Sequence, residues 1–352
     1  MLKNRSVFRV IFTLVALFML MIATACGSIK SNGEGKEKSI NFPTKNITGV
    51  IPFGAGGPTD SMARAAAAAA EQKIGKSIIM VNKPGASGGI GTQDVYDSKA
   101  DGHTLLFAAE TNLTILPVFD INERSYKDFE AINIFGRTYS AIAVKADSKY
   151  NTLEDLINDA KENPGKISLT LGSSGSQSQI VATMLRETTG AEFNMIPFDG
   201  DGPALTAVLG GHVDAFISSV AMGIENVEGG KLKFLAIVHD EPIDNLPDVP
   251  PVTEAIPEME KYLPWGPFSG VFVKKDTPDE IKQYLIEKFK EASEVQEFKD
   301  FLANSQYVPL SISGQEAEEF ITDWASKTLW LLHDAGITKK SPEVLDIPKP
   351  EK

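Results

Sequence analysis

From Ile40 onward the chain alternates short apolar stretches with amphipathic or Ala-rich ones, and this alternation restricts it to a mainly parallel sheet covered by helices on both faces. Strands are expected at Asn46–Pro52, Ser77–Asn82 and Thr104–Ala108, with helices at Asp60–Ile74 and Gly89–Asp97 between them. The run Ala65–Ala70 reads as a closely packed helix face, because alanine gives up no side-chain entropy on entering a helix. Two strand-like stretches in quick succession within Ala131–Lys145 mark the chain leaving one lobe for another. A second complete unit follows. It holds helix Thr152–Asn163, capped by Asn151 or Thr152 and stopped by Pro164-Gly165, then strand Lys166–Leu171 and helix Gln177–Thr189. Strand Asn194–Phe198, helix Gly202–Leu209 and strands Val213–Ser218 and Lys233–Val238 complete it. The Pro-rich segment Glu241–Pro267 is expected to carry the return crossing, and strand Phe268–Lys274 with helices Pro278–Ala292, Val295–Leu302 and Gln315–Ala335 finishes the first lobe. A length of 352 residues suits two such lobes, at roughly 100–200 residues per domain.

The N-terminal segment does not belong to that pattern. Lys3, Arg5 and Arg9 precede an apolar run, Val10–Ala23, of signal-peptide length and too short for a comfortable membrane span. Small residues then lead into the only cysteine, in Ala23-Thr24-Ala25-Cys26-Gly27, which resembles a bacterial lipobox. Residues 1–25 are therefore expected to be a signal peptide, and Cys26 a lipidated N-terminus followed by a polar tether through residue 39. An uncleaved anchor helix is the alternative; under either, the body of the protein lies outside the cytoplasm. The net charge of −13 and the lack of a basic patch interleaved with aromatics argue against nucleic acid as a partner.

Function is expected in the loops. In Val50-Ile51-Pro52-Phe53-Gly54-Ala55-Gly56-Gly57-Pro58-Thr59-Asp60 a strand runs into a Gly-rich turn that opens a helix. Glycines let backbone approach a ligand, and a helix start presents unpaired N–H groups and partial positive charge, which suits a carboxylate or phosphate. The segment lacks the Gly-Lys-Ser/Thr of a P-loop and the Gly-x-Gly-x-x-Gly spacing of a dinucleotide site. Asp60 is expected to cap the helix or support the loop, with ligand contact as the alternative, and Arg64 to be its partner one turn on. A second such turn, Asn82-Lys83-Pro84-Gly85-Ala86-Ser87-Gly88-Gly89-Ile90-Gly91, would emerge at the same sheet edge, giving a two-sided backbone cradle. Gly172-Ser173-Ser174-Gly175-Ser176-Gln177-Ser178 and Pro197-Phe198-Asp199-Gly200-Asp201-Gly202-Pro203 repeat the layout in the second half and would face the first pair.

Catalysis finds little support. Ser176 stands where a Gly-x-Ser-x-Gly elbow around Ser174 needs its last glycine, and His103, His212, His239 and His333 are scattered. No metal-ligand spacing and no cofactor motif is present.

The segments IPFGAGGPTD, VNKPGASGGIGT, ADGHTLLFAAETN and PFDGDGPALTAVLGGHVDAF, in this order and at these distances, resemble the Bug family of solute receptors, the substrate-binding component of tripartite tricarboxylate transporters. The resemblance runs from about Phe42 to Gly336. It implies a periplasmic-binding-protein type II (Venus flytrap) fold. Two α/β lobes, 40–138 plus 262–340 and 139–261, would be joined by a double crossover hinge of two extended strands and followed by a C-terminal tail, 341–352. It implies a monomer that captures a small carboxylate, a di- or tricarboxylate or related organic acid, for membrane permease subunits. Sensing for a signalling partner, and hydrolysis through Ser174, are the alternatives. Carried onto this chain, the family pattern places Phe53, Ala55, Gly56, Gly57 and Thr59 with Ala86 and Ser87 around the carboxylate. It places Thr111, Asn112, Ser173, Ser174, Ser178 and Asp199 along the rest of the pocket. His103 stands where the family usually has Tyr, and Asp199 where Lys or Arg is commoner, which would favour a ligand bearing an amine or hydroxyl over a tricarboxylate.

Overall fold

Two mixed sheets, each covered by helices, carry the chain. The computed structural model describes residues 40–350, Ser173 and Asp199 excepted, so the expected signal peptide, Cys26 and tether lie outside the described residues. The first sheet contains β1 (Ile47–Ile51), β2 (Ile78–Asn82), β3 (Thr104–Ala109), β4 (Phe129–Thr138), β10 (Phe268–Lys274) and β11 (Tyr307–Ile312), in the order β11-β4-β10-β3-β1-β2. The second contains β5 (Ser140–Lys145), β6 (Ser168–Leu171), β7 (Asn194–Pro197), β8 (Ala215–Ser219) and β9 (Leu232–Ile237), in the order β7-β6-β8-β5-β9. Apart from the edge strand β11 the two share one plan. Three parallel strands are followed by an antiparallel strand that has just crossed from the other sheet, β10 in the first and β5 in the second. The parallel strands are buried on both faces: Ile47, Val50, Ile51, Leu105 and Leu106 have at most 1% exposure, as helices above and below a parallel sheet require.

Residues that stop and start the helices also aim the loops. Pro58 opens helix Pro58–Ile74 and Gly75, in the left-handed region, closes it. Its buried alanines, Ala63, Ala66, Ala67 and Ala70, allow close approach to the sheet and to helix Asp279–Ser293. Helix Leu153–Glu162 begins at a capping box between Thr152 and Asp155.

Both crossings are well defined. The outward one is a single residue, Tyr139, between the last residue of β4 and the first of β5. The return lies within the Pro-rich segment Glu241–Pro267. It runs through helix Val252–Ala255 and the 3₁₀ segment Pro257–Tyr262 before reaching β10. There the Thr138 N–H donates to the Pro267 carbonyl at 2.8 Å, joining the two crossings. Trp265 and Trp324 anchor the return segment: Trp265 Nε1 donates to Thr328 Oγ1 at 2.9 Å and Trp324 Nε1 to the Gly266 carbonyl at 3.0 Å. Both partners from outside that segment sit on helix Gly314–Asp334. One continuous buried cluster runs from Leu106 and Ile115 through Trp324 and Leu329 to Met184 and Leu169, so both sheets share it.

Elements beyond those expected include helix Val220–Glu228, edge strand β11 and a π-helical turn at Thr111–Ile115. The tail is packed as well. Leu345 and Ile347 are buried, and Trp330 Nε1 donates to the Ile347 carbonyl. Among the described residues no helix is long and apolar enough to cross a membrane.

Candidate ligand-binding site

The parallel register Ile47↔Ile78 through Ile51↔Asn82 ends β1 and β2 level with each other, so the turns that follow them emerge side by side. In the first turn the Asp60 carboxylate is the organising group. It is 4% exposed and accepts from Gly56 N–H at 2.9 Å, Arg64 Nε at 3.0 Å and Asn82 Nδ2 at 2.8 Å. The Arg64 hydrogen bond, with those from Gly56 and Asn82, holds its carboxyl at about 2, against burial, which pushes the other way. Asn82 also donates to the Phe53 carbonyl at 3.0 Å, so the second strand clamps the first turn. Asp60 is thus a loop brace. It is not the N-cap: Gly57 holds that position, without a side-chain cap, and Asp60 is the third helical residue.

Main-chain donors follow from this arrangement. The Gly56 N–H is committed to Asp60. Those of Ala55, Gly57, Thr59 and Asp60 have no acceptor among the described residues. Pro58 has no N–H, so Thr59 and Asp60 supply the helix's first free donors. Phe53 borders this turn half-buried, while Gly54, Ala55 and Gly56 are exposed.

The second turn is built on four successive positive φ values, 124° at Gly85, 47° at Ala86, 52° at Ser87 and 94° at Gly88. Ala86 and Ser87 hold a conformation that side chains disfavour, a strain that surrounding structure must impose. Gly88 N–H closes the turn on the Gly85 carbonyl at 2.9 Å, while Ala86 and Ser87 N–H have no acceptor among the described residues. Asn112, with no exposure, braces it: Nδ2 donates to the Ser87 carbonyl at 3.4 Å and Oδ1 accepts from Ala109 N–H at 3.3 Å. A Cβ on Gly88 would lie 2.0 Å from that Nδ2, so glycine is required there. Helix Gly89–Asp97, which opens here, also lacks a side-chain cap.

In the second sheet the turn after β6 approaches the first sheet directly, with Gly175 packed against Ile115 so closely that a Cβ would sit 2.2 Å from its Cγ2. Ser178 faces inward: its Oγ accepts from Gly172 N–H at 2.9 Å and lies 3.1 Å from Ser176 Oγ. Gln177 Nε2 reaches Ser140 Oγ at the crossing, at 2.5 Å. Ser174 is exposed on the same turn and Thr111 half-buried on the turn after β3. Ser173 and Asp199 lie outside the described residues. The structure therefore brings the turns after β1, β2 and β3 together through Asp60, Asn82 and Asn112, and sets the turn after β6 against the last of them.

Two carboxyl groups in this region were not anticipated. Glu110, at the end of β3, is buried; Oε2 accepts from Phe268 N–H at 3.1 Å and Oε1 from Thr111 Oγ1 at 3.3 Å. Burial pushes its carboxyl up to about 7, against those hydrogen bonds. Asp201 opens helix Asp201–Leu209 and accepts from Ser218 Oγ at 2.6 Å; burial raises its carboxyl too. An acid alone in an apolar run, as in LLFAAETNL, was a readable sign for Glu110. Among the described residues no group of three or more His, Cys, Asp or Glu is placed to hold a metal.

Two α/β lobes of one strand plan, joined by a double crossing and meeting at loops rich in free main-chain N–H groups, define the periplasmic solute-binding class. The chain belongs to the tripartite tricarboxylate transporter family receptors, whose family model matches residues 62–337. It is 28% identical over 333 residues to Protein BugT of Bordetella pertussis, covering 93% of this chain and 98% of that one. A TctC solute-binding protein from Polaromonas, solved without ligand, has 30% identity and a TM-score of 0.68, covering 83% of this chain and 99% of that one. MatC from Rhodopseudomonas palustris, solved with bound malate, shares the fold at 24% identity and a TM-score of 0.70, covering 82% of this chain and all of that one. The family is one of solute receptors, not enzymes, which removes the serine-hydrolase alternative.

Proposed function

We propose that this protein is an extracytoplasmic lipoprotein, tethered through Cys26, that captures a small carboxylate between lobes 40–138 plus 262–340 and 139–261 and presents it to the permease subunits of a tripartite transporter. The observation that carries this reading is the set of uncommitted N–H groups at Ala55, Gly57, Thr59, Asp60, Ala86 and Ser87, on adjacent turns at two uncapped helix starts. Such donors, with the partial positive charge of the helix ends, stabilise an anion without a cationic side chain. Phe53 would border the carboxylate, and Thr111 and Ser174 would add hydroxyls from the turns after β3 and β6. Asp60, Asn112 and Ser178 would act one step back, holding the donors in place. That the neighbour of like fold holds malate supports a carboxylate as the ligand class.

Capture requires no bond making. A carboxylate docks on the first-lobe turns, second-lobe hydroxyls reach it as the crossings at Tyr139 and Pro267 bend, and ligand shifts the population toward the closed form by its greater affinity for that form. With anion affinity resting on amides, association should depend only weakly on salt.

The test is a thermal-shift screen of residues 27–352 against mono-, di- and tricarboxylates. A true ligand at about 100 times its Kd adds about 2.7 kcal/mol of stability. A melting temperature indifferent to every carboxylate would overturn the reading.

A further inference from the structure

The first-lobe donors account for one carboxylate, but the opposite side of the cleft has a different character. Asp201 stands at the start of helix Asp201–Leu209, across the turn that follows β7 (Asn194–Pro197), and Ser218 lies at the end of β8. Because β6, β7 and β8 are parallel, both residues belong to the edge from which Gly175 reaches Ile115 of the first lobe. The Ser218 hydroxyl, 2% exposed, fixes Oδ2 of Asp201 at 2.6 Å. Oδ1 has no donor, and no cation offsets the charge, among the described residues. A ligand with anionic groups at both ends would therefore bring its second carboxylate toward an acid, in a setting where low dielectric strengthens the repulsion. An ammonium group there would make charge-assisted hydrogen bonds about twice as strong as those of a hydroxyl.

We propose that the ligand bears an ammonium group in addition to its carboxylate, and that Asp201, oriented by Ser218, is the residue that receives it. This rests on the carboxylate reading given above and narrows it to amino-acid-like zwitterions. Burial raises the Asp201 carboxyl in the free protein, and an ammonium beside it would draw it back toward its charged form.

Matched pairs separate the two readings: L-glutamate against glutarate, γ-aminobutyrate against butyrate, and L-phenylalanine against hydrocinnamate, titrated calorimetrically into residues 27–352. In the pair that fits the cleft, the amine-bearing member should bind about tenfold tighter or better. In Asp201→Asn that preference should collapse toward one, with the amine-free member binding as well as or better than it binds the native protein. Ser218→Ala, which leaves the carboxylate unfixed, should show a smaller loss and carries the same comparison should Asp201→Asn fail to fold. Amine-free members binding more tightly to the native protein, or a preference unchanged in a folded Asp201→Asn, overturns the assignment while leaving carboxylate capture intact. Binding of neither member of any pair removes the carboxylate reading and this one with it.

Discussion

The main-chain N–H of Phe268 donates to Oε2 of Glu110 at 3.1 Å, tying the first residue of the returning strand to a carboxyl buried at the end of β3. Burial raises that carboxyl from its ordinary 4.5 to about 7, so the folded state holds a proton the unfolded state has lost. Stability from this source is complete below about pH 4.5 and is lost as pH rises through about 7. Glu110→Gln keeps an oxygen for Phe268 and cannot ionise. Its denaturation midpoint should exceed that of the native protein at about pH 8 and match it near pH 5, with a gap of about 3 kcal/mol at most. Parallel pH profiles would show that Glu110 is ionised in the folded protein.

Asp60 has the opposite sign. Its carboxyl is held at about 2, below the ordinary 3.8, so its contribution is present above about pH 4 and lost as pH falls through about 2. Asp60→Ala strands the Gly56 N–H, the Arg64 guanidinium and the Asn82 amide together. Urea denaturation at neutral pH should show a loss of about 2–3 kcal/mol, shrinking below about pH 3, and carboxylate affinity should drop because the first turn loses its brace. Affinity unchanged in a destabilised variant would mean that the turn does not hold ligand.

Gly88→Ala isolates the second turn. The new methyl would meet Asn112 Nδ2 at 2.0 Å and Pro52 Cβ at 3.3 Å, with φ at 94°. Gly190 has φ of 70° and open space around it, so Gly190→Ala measures backbone strain alone. The Gly88 variant should cost about 1–2 kcal/mol more than the Gly190 variant, and it alone should weaken ligand binding. Equal effects of the two would separate the Asn112 brace from binding.

Much of this architecture is legible in the sequence because Gly and Pro punctuate it. Helices Gly89–Asp97 and Gln177–Thr189 and strand β10 fall where periodicity places them. Helix Val220–Glu228 was hidden because its N-cap, Ser219, is also the last residue of β8, so one apolar run covers both. Pro309 masked β11, which tolerates it as an edge strand. For the site, the glycine turns were visible, whereas the bonds that brace them were not. Asn82 to Asp60 and Asn112 to Ser87 span long stretches of chain, and a local pattern cannot show such pairings. The commitment of the Gly56 N–H to Asp60 was likewise invisible without coordinates.

Membrane attachment rests on one residue in the proposed scheme. Cys26→Ser, expressed with its signal segment, should move from the membrane fraction to the soluble extracytoplasmic fraction while keeping its carboxylate affinity. Retention in the membrane would point to an uncleaved anchor helix instead.

Capture by main-chain amides is open to direct inspection in a co-crystal structure with the best ligand from the carboxylate screen. The carboxylate oxygens should lie within about 3 Å of main-chain nitrogens drawn from Ala55, Gly57, Thr59, Asp60, Ala86 and Ser87, with no Lys or Arg in contact. A carboxylate seated on a cationic side chain, or bound away from those two turns, would contradict such capture.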